Sequence, residues 1–410
     1  MKSNTIKIKM LLFQRPALFG AAAILAQTGL AQTWQTVDDF QYAAGKAAVA
    51  VGLAKDPSGT IYAAGWAKDT NGTMHALTMK SADAGATWSN PVDDFLYPGS
   101  LPTVDVAIVS DSAGNLYSAG YAFVNGISAR WLVRRSQDHG VTWSTMDDFT
   151  LGGTVAQCHA LTTDVSGNIY AVGYGTMAQS STTFYWTVRK GTANQDGSMS
   201  WSTVDTFSPS GSGNAMGVFC HPTAGIFVAG NAKSSGTTPY NIWVVRRSRD
   251  SGATWATVDA YQLDSTQGST AKSIAADAAG NLYVVGPATK SGYNHSIIRK
   301  STNGGSVWKT ADDFHPTATE DEFPEQISAD PRGNLYVIGC SRISYVQHWL
   351  VRKNPGAVGA WQTVDDFNYA PNKNADAYGI ATDNAGNVFV AGYGLDATNV
   401  QHWLVRRLAP

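Results

Sequence analysis

The clearest candidates for chemistry in this sequence are three acidic residues that lie close together. Glu320, Glu322 and Glu325 fall within the stretch HPTATEDEFPEQ at residues 315–326, and they are the only glutamates in the chain. Glutamates spaced this closely can serve as an acid and a base, contact a cation or hydrogen-bond a polar ligand. A solvated acidic loop is the simpler alternative. Glu322 and Glu325 are therefore candidate catalytic or ligand-binding residues.

A second set of candidates shares one position in a repeated pattern. Counting back five residues from a recurring turn residue, usually aspartate, gives a position whose occupant changes along the chain. The occupants are Val51, Val106, His159, Met216, Lys272, Glu325 and Tyr378. The next position holds mostly small residues and the one after it only apolar residues. The two uniform positions indicate that packing restricts them. The residue type at the third position varies between repeats, so packing does not restrict it and it can serve a function.

Four of these occupants have polar groups of different chemistry: His159, Lys272, Glu325 and Tyr378. We expect them to line one ligand-binding pocket, with Arg342 on the same face. Weaker candidates for that face are Arg130, Asp105 and Asp376. Two alternatives stay open, because these side chains could fill the interfaces between repeats, and Lys272 could pair with Glu325.

The elements that must position these residues repeat along the chain. Seven tryptophans recur about every 54 residues, which indicates a repeat architecture; they are Trp34, Trp88, Trp143, Trp201, Trp255, Trp308 and Trp361. Each opens a version of the element WxTVDDF, and three further short stretches complete each unit. All are rich in β-branched and aromatic residues and are bounded by Gly, Asp, Asn or Ser, which is typical of strands. Four strands in each of seven units predict an all-β, seven-bladed β-propeller with four-stranded blades.

The order of the strands also predicts how the ring closes. The repeats open with the outermost strand of a blade, residues 34–40, and end with the three inner strands of the last blade, residues 378–407. The N-terminal strand should therefore complete the last blade, which leaves no free edge. An arginine of the third strand and the first aspartate of the DDF element recur in nearly every unit. We expect these two residues to interact across each sheet.

Two recurring turns resemble known repeats. The turn SADAGATW at 81–88, with SQDHGVTW at 136–143 and SRDSGATW at 248–255, resembles the Asp-box, or BNR repeat, of the sialidase-like superfamily. The turn and strand DSAGNLYSAG at 111–120, with five similar copies, resembles the SBBP repeat of secreted bacterial propellers. These resemblances imply a propeller whose Asp-box turns are structural. The site would then lie on the opposite face, at the mouth of the central channel.

The sialidase-like resemblance also implies a catalytic arrangement. Such enzymes use a tyrosine nucleophile backed by a glutamate, an aspartic acid and three arginines, which would give Tyr378 and Glu322 or Glu325 the first two roles. No FRIP-like segment is present, and only Arg130 and Arg342 stand out on the expected face. We therefore expect a binding module for a glycan or for a cell-surface or peptide ligand. A glycoside hydrolase is the alternative.

Other classes of chemistry lack their sequence patterns. There is no GxSxG, HExxH, CxxC or phosphate-binding loop. The eight histidines are scattered and the three cysteines, Cys158, Cys220 and Cys340, are widely spaced. We therefore expect no metal site and no cofactor. The absence of a basic cluster argues against a nucleic-acid partner.

The first 31 residues have the pattern of a secretory signal peptide. Four basic residues precede an apolar run, and small residues lead to Ala31. Cleavage there would remove four of the 29 basic residues and none of the 31 acidic ones, which leaves an acidic domain at 32–410. The apolar run is too short to span a membrane. We expect a secreted or periplasmic, monomeric propeller.

Overall fold

The computed structural model describes residues 33–124, 128–179, 181–235 and 239–410. Within them, regular structure consists of 28 β-strands and one short 3-10 turn at Pro355–Ala357. The predicted signal peptide at 1–31 lies outside the described residues. None of the helices in the described part is long and apolar enough to cross a membrane.

The strands form seven four-stranded antiparallel sheets, or blades, and the first six blades each consist of consecutive strands. The first blade contains β2 (Ala48–Lys55), β3 (Ile61–Lys68), β4 (Met74–Ser81) and β5 (Asp93–Phe95). The second contains β6 (Thr103–Ser110), β7 (Leu116–Val124), β8 (Ser128–Ser136) and β9 (Ser144–Phe149). The third contains β10 (Ala156–Thr163), β11 (Ile169–Gly175), β12 (Tyr185–Ala193) and β13 (Met199–Phe207).

The next three blades follow the same order. The fourth contains β14 (Gly213–His221), β15 (Gly225–Lys233), β16 (Asn241–Ser248) and β17 (Ala256–Tyr261). The fifth contains β18 (Ser273–Ala276), β19 (Leu282–Lys290), β20 (Tyr293–Ser301) and β21 (Lys309–Phe314). The sixth contains β22 (Asp321–Ala329), β23 (Leu335–Ile343), β24 (Val346–Asn354) and β25 (Gln362–Phe367).

The seventh blade joins the two ends of the ring. It consists of β26 (Ala375–Thr382), β27 (Val388–Leu395), β28 (Gln401–Leu408) and, as its outermost strand, β1 (Trp34–Phe40). The innermost strands each contact the next one around the ring, and β26 contacts β2. The predicted seven-bladed propeller, closed by residues 34–40, is confirmed.

The connections at the two ends of the sheets differ in kind. Since neighbouring strands run antiparallel, the first-to-second and third-to-fourth connections share one face, which we call the turn face. There the Asp83 carboxylate accepts hydrogen bonds from Ser81 and Thr87. Asp111 accepts bonds from main-chain N–H groups, including that of Asn115. Donors within each turn bind these carboxylates, which therefore serve to hold the turns.

The hydrophobic core lies between neighbouring sheets. A tryptophan of the third strand is fully buried in five blades: Trp131, Trp186, Trp243, Trp349 and Trp403. In each of these blades the indole ring packs edge-on against the aromatic residue at the end of the outermost strand. The ring centroids of Trp131 and Phe149, for example, are 6.1 Å apart. Burying a large apolar side chain contributes up to about 3 kcal/mol. These contacts therefore anchor the outermost strand to its blade.

Arginine–aspartate pairs join neighbouring blades. Arg134 of the second blade binds Asp93 of the first, with N–O distances of 2.9 and 2.8 Å. Five further junctions carry the same pair: Arg189–Asp147, Arg246–Asp205, Arg299–Asp259, Arg352–Asp312 and Arg406–Asp365. The expectation that the two residues interact across one sheet is therefore wrong. The register places Asp147 opposite Val133, one residue before Arg134, so Asp147 and Arg134 leave their blade on opposite faces.

The junction between the seventh and first blades lacks this pair. The first blade has Met79 where the other six have arginine. One oxygen of Asp38, on the closing strand, is buried without a hydrogen-bond partner in the described part of the chain. Burial, followed by the charge of Asp39, raises the pKa of Asp38 to about 7. Met79 instead joins an apolar cluster with Phe389 and Trp403.

We expect matched substitutions at two junctions to have opposite effects at pH 8. Asp259→Asn breaks a buried ion pair and leaves Arg299 without its partner, so it should lower the free energy of unfolding by about 3–5 kcal/mol. Asp38→Asn removes a buried carboxylate that lacks an arginine partner and has one oxygen without a hydrogen bond, so it should leave stability unchanged or raise it. Urea unfolding of both variants measures the difference.

The stabilising effect of Asp38→Asn should depend on pH. The pKa of Asp38 is higher in the folded state, so this carboxyl destabilises the fold progressively as pH rises from about 4 to about 7. The gain from the substitution should therefore grow over that window and vanish below it. If Asp38→Asn and Asp259→Asn lowered stability equally, this account of the junction between the seventh and first blades would be wrong.

Candidate functional site

The variable position of the innermost strands lies at a recurring β-bulge. In six of the seven innermost strands, all within the described residues, the register shifts at one residue, and that residue is unpaired. The bulged residues are Val51, Val106, His159, Met216, Glu325 and Tyr378. In the fifth blade Lys272 directly precedes β18, and its N–H donates to the Val285 carbonyl. A bulge re-aims the side chain it carries.

A glycine on the second strand of each blade makes this bulge possible. A Cβ on Gly173 would collide with the Gln157 carbonyl oxygen and with the ring of Trp131. The same collision with a first-strand carbonyl would occur at Gly65, Gly120, Gly230, Gly286, Gly339 and Gly392. The glycine that ends each YxxG-type strand motif therefore provides the room in which the inner strand bends.

The re-aimed side chains line one cavity on the ring axis. It has a volume of about 300 Å³ and is bordered by all seven innermost strands. His159, Lys272, Glu325 and Tyr378 all contribute to its wall, together with Met216. This volume is at the lower end of the range for small-molecule sites, about 300–1,000 Å³. The cavity suits one small polar group or the end of a longer ligand.

Lys272 and Glu325 form an ion pair inside this cavity. The Lys272 Nζ lies 3.0 and 2.8 Å from the two carboxylate oxygens of Glu325, and both side chains are about three-quarters buried. The pair links the fifth blade to the sixth. The structure thus shows the alternative in which Lys272 pairs with Glu325. A paired lysine and carboxylate still present further donors and acceptors to a ligand.

Tyr378 borders the cavity beside a buried carboxyl group. Its ring stacks on that of Tyr393, with centroids 6.0 Å apart. Asp376 is only 5% exposed, and one of its oxygens lacks a partner among the described residues. Burial, followed by the charge of Glu325, raises the pKa of Asp376 to about 8. Burial and then Asp376 raise the pKa of Tyr378 far above its usual value, so both groups are protonated at neutral pH.

His159 is held in one neutral form. Its Nδ1 lies 3.2 Å from the Ala215 carbonyl oxygen, which can only accept, so Nδ1 carries the proton and Nε2 is left as an acceptor. Its ring meets Tyr174 edge-on at 5.3 Å. Burial first, with a contribution from Lys272, lowers the pKa of His159 to about 4. The cavity therefore has a neutral imidazole in its wall at physiological pH.

Two sequence candidates lie elsewhere. Glu322 is 1% exposed and accepts a hydrogen bond from Ser341 at 2.8 Å, in a gap of about 10 Å³ between the fifth and sixth blades. Burial raises its pKa to about 7. Arg342 binds Asp321 at 3.2 Å. Neither Glu322 nor Arg342 borders the cavity on the ring axis.

The weaker candidates divide in the same way. Arg130 binds Asp148 within its own blade, and Tyr97 of the preceding blade donates to the same carboxylate. Asp105 is buried, and desolvation raises its pKa to about 8. Asp376 lies close enough to Glu325 and Lys272 of the cavity wall for their charges to affect its pKa. The charges that affect Asp105 are instead those of Asp93 and Arg134.

Tyr174 and Tyr393, which the sequence places in or beside the loops of the face expected to carry the site, pack against His159 and Tyr378. The sequence pattern did not predict these two contacts, because the bulge that brings the rings together leaves no motif of its own.

In the described ranges no group of three His, Cys, Asp or Glu side chains is arranged to hold a metal ion. The cysteines there are unpaired, and Cys158 and Cys340 are buried. Burial raises the pKa of the Cys220 thiol to about 12. These thiols are therefore protonated at neutral pH.

Comparison with known proteins supports the fold. Residues 363–396 match the SBBP family, described as a beta-propeller repeat. No curated protein matches the chain. A solved protein of unknown function from Dyadobacter fermentans DSM 18053 is similar over 92% of this chain and 99% of its own, with 14% identity and a TM-score of 0.52.

Two solved carbohydrate-active proteins have the same fold. A polysaccharide lyase of family PL25, an ulvan lyase, is similar over 90% of this chain and 95% of its own, with 9% identity and a TM-score of 0.53. The GH93 alpha-L-arabinofuranosidase of Fusarium graminearum, solved with arabinobiose, is similar over 91% and 97%, with 12% identity and a TM-score of 0.50. At such identities the likeness shows the fold alone.

The glycine opposite the bulge should be intolerant of a side chain. Gly173→Ala places a Cβ against the Gln157 carbonyl, so we expect the free energy of unfolding to fall by about 1–3 kcal/mol. Gly268→Ala is the control, because its nearest neighbouring atom is 3.9 Å from the added Cβ. Chemical denaturation of both variants measures the effect. A Gly173→Ala protein as stable as the control would contradict the proposed need for space.

The charge of Lys272 should set the titration of His159. Lys272→Met removes a positive charge and frees the Glu325 carboxylate, and both changes favour imidazolium. We therefore expect the pKa of His159 to rise from about 4. An NMR titration of the His159 ring protons in the two proteins measures the shift. An unchanged or lower value would show that the lysine and the imidazole are not electrostatically coupled.

Proposed function

We propose that the protein is an exported binding module that holds a polar ligand, foremost a glycan, in the cavity on the ring axis. The observation that carries the proposal is the Lys272–Glu325 pair, fixed in the wall of the cavity with Tyr378 and His159 nearby. Such groups offer donors and acceptors to sugar hydroxyls, and the tyrosine offers a ring for stacking. A peptide of a cell-surface partner could use the same groups.

Several features support binding over catalysis. The Glu325 carboxylate is engaged by Lys272 rather than by Tyr378. Because the pKa of Tyr378 is so high, the phenol is a poor nucleophile unless a base accepts its proton. Glu322, the other candidate glutamate, hydrogen-bonds Ser341 between blades. A tyrosine nucleophile backed by a glutamate is therefore not assembled among the described residues of this cavity.

One observation favours a second function, a glycoside hydrolase. Asp376 is protonated at neutral pH and lies near Glu325, and a retaining or inverting glycosidase needs one protonated and one ionised carboxyl group. Asp376 would then be the acid and Glu325 the base or nucleophile. Export through the predicted signal peptide at residues 1–31 would suit either function.

A glycan array, read beside a panel of chromogenic glycosides, tests the proposal. Glu325→Gln removes the negative charge that Lys272 holds, so we expect affinity for the array ligand to fall about ten- to hundredfold. Glu322→Gln is the matched control, because it changes a neighbouring glutamate of β22 that does not border the cavity. Calorimetry with the best array ligand gives the two dissociation constants.

The outcomes separate the two functions. Binding that is weakened by Glu325→Gln and spared by Glu322→Gln, without turnover, supports the binding module. Turnover that both Glu325→Gln and Asp376→Asn abolish supports the hydrolase instead. Full affinity in the Glu325→Gln protein would show that the ligand binds elsewhere.

A further inference from the structure

A second feature breaks the repeat, on the turn face of the ring. The residue before the last one of each third strand, or its equivalent, is basic in all seven blades: Lys80, Arg135, Lys190, Arg247, Lys300, Lys353 and Arg407. In four blades the terminal nitrogen donates to a main-chain oxygen of a turn on the following blade. These bonds are Lys80 to His139, Arg135 to Gly197, Lys190 to Ser251 and Arg407 to Ala84. In those blades the basic residue therefore serves the scaffold.

The other three basic residues make no such bond within the described residues: Lys300 and Lys353 lie over tyrosine rings, and Arg247 instead donates to its own blade. Its Nε donates to the Ala224 carbonyl of its own blade at 2.7 Å, and its guanidinium lies 5.1 Å from the centre of the Phe227 ring. These two contacts fix the side chain, and the residue as a whole is only 8% exposed. Its two terminal nitrogens make no hydrogen bond within the described residues, although a guanidinium carries five donors. Arg247 is therefore held in place while its two terminal nitrogens remain available to a ligand.

The local sequence explains the departure. The fourth blade opens its first turn with His221 in place of aspartate and has its glycine, Gly225, one residue later than the other six blades. Gly225 adopts a positive φ of 102°. A Cβ on this residue would also collide with the Ser248 carbonyl oxygen, so the turn requires glycine here. The altered turn presents the Ala224 carbonyl to Arg247. The usual bond to the next blade is thereby replaced.

Arg247 borders a cavity of about 360 Å³ between the fourth and fifth blades. Arg249 borders the same cavity and is exposed. The other blades have no charged residue at the position of Arg249. Trp255 forms a third wall, and its indole N–H donates to the Gly252 carbonyl at 3.1 Å, which fixes the ring.

No carboxylate neutralises this pair of arginines in the described part of the chain. Burial, followed by the charge of Arg249, lowers the pKa of Arg247, and no carboxylate contributes to that shift. Asp250 is adjacent in sequence, but its carboxylate accepts hydrogen bonds from Thr254 and Ser248 within its own turn. The cavity therefore has a net positive charge.

We propose that this cavity is a second binding site, which takes an oxyanion group of an acidic saccharide, either a carboxylate or a sulfate. The planar fork of Arg247 matches two oxygens of such a group, and Arg249 supplies a second positive charge. The Trp255 ring offers an apolar surface for the sugar that bears the group. The site lies on the turn face, away from the cavity that Lys272 and Glu325 border, so it does not depend on the proposed function of that cavity.

Calorimetric titration with sodium glucuronate, glucose 6-sulfate and neutral glucose tests the site. The two anionic sugars should bind and glucose should not, and binding should weaken as salt rises. Arg249→Gln changes an exposed side chain and should fold normally, so we expect it to weaken binding about tenfold or more, as loss of a charge-assisted hydrogen bond does. Arg247→Gln should abolish binding.

The matched control is Arg135→Gln, which changes the equivalent residue of the second blade, where the guanidinium already donates to Gly197. Its affinity for the anionic sugars should be that of the unaltered protein. Equal affinity in the Arg249→Gln protein, equal binding of glucose, or no binding of either anion at low salt would overturn the proposal. Binding of only one anion would identify which group the site takes.

Discussion

Seven inner strands have to meet around one axis, and this crowding determines the rest of the molecule. A Cβ on Gly52, Gly217 or Gly379 would come within about 3 Å of main-chain atoms in the next inner strand, so large residues are excluded there. The bulge relieves the crowding by turning the preceding residue toward the axis, and the glycine of the second strand leaves room for the bend. The side chain of the re-aimed residue points into the open space on the axis, where the close packing of the inner strands does not limit its size. That is why His159, Lys272, Glu325 and Tyr378 can differ while their neighbours stay small or apolar.

Farther from the axis, the blades are joined by charge. Five of the six Arg–Asp pairs are about nine-tenths buried or more, and their bidentate geometry offsets much of the cost of desolvation. In the sixth, Arg352 makes one hydrogen bond to Asp312, which is 20% exposed. The junction that the chain's ends create has Met79 and an unpaired Asp38 instead. Apolar packing around Phe389 and Trp403, together with pairing of β1 on β28, holds that junction. The junction between the seventh and first blades, which the first strand closes, therefore differs from the other six in lacking a buried ion pair.

Much of this arrangement could be predicted from the sequence, since the repeat spacing determines blade number, strand order and closure. The spacing also identified the position that faces the axis, because uniform and variable columns alternate along the strand. It did not predict the direction of Glu322, which the bulge at Glu325 separates from the cavity, nor the Arg–Asp pairs between blades. Both depend on which face of a sheet a side chain leaves, and a single shifted register reverses that face. Proximity along the chain, which made three glutamates look like one site, is a poor guide within a strand.

Departures from a repeat differ in what they imply. Where Met79 replaces arginine, apolar packing fills the space, and the fold alone accounts for the change. Where Arg247 and Arg249 border one cavity, or Lys272 and Glu325 pair inside the other, apolar packing does not fill the space. Charged groups held around an open space cost stability through desolvation and repulsion. The two cavities lie on opposite faces and offer charged groups to the ligands proposed above, a polar one on the ring axis and an anionic one on the turn face.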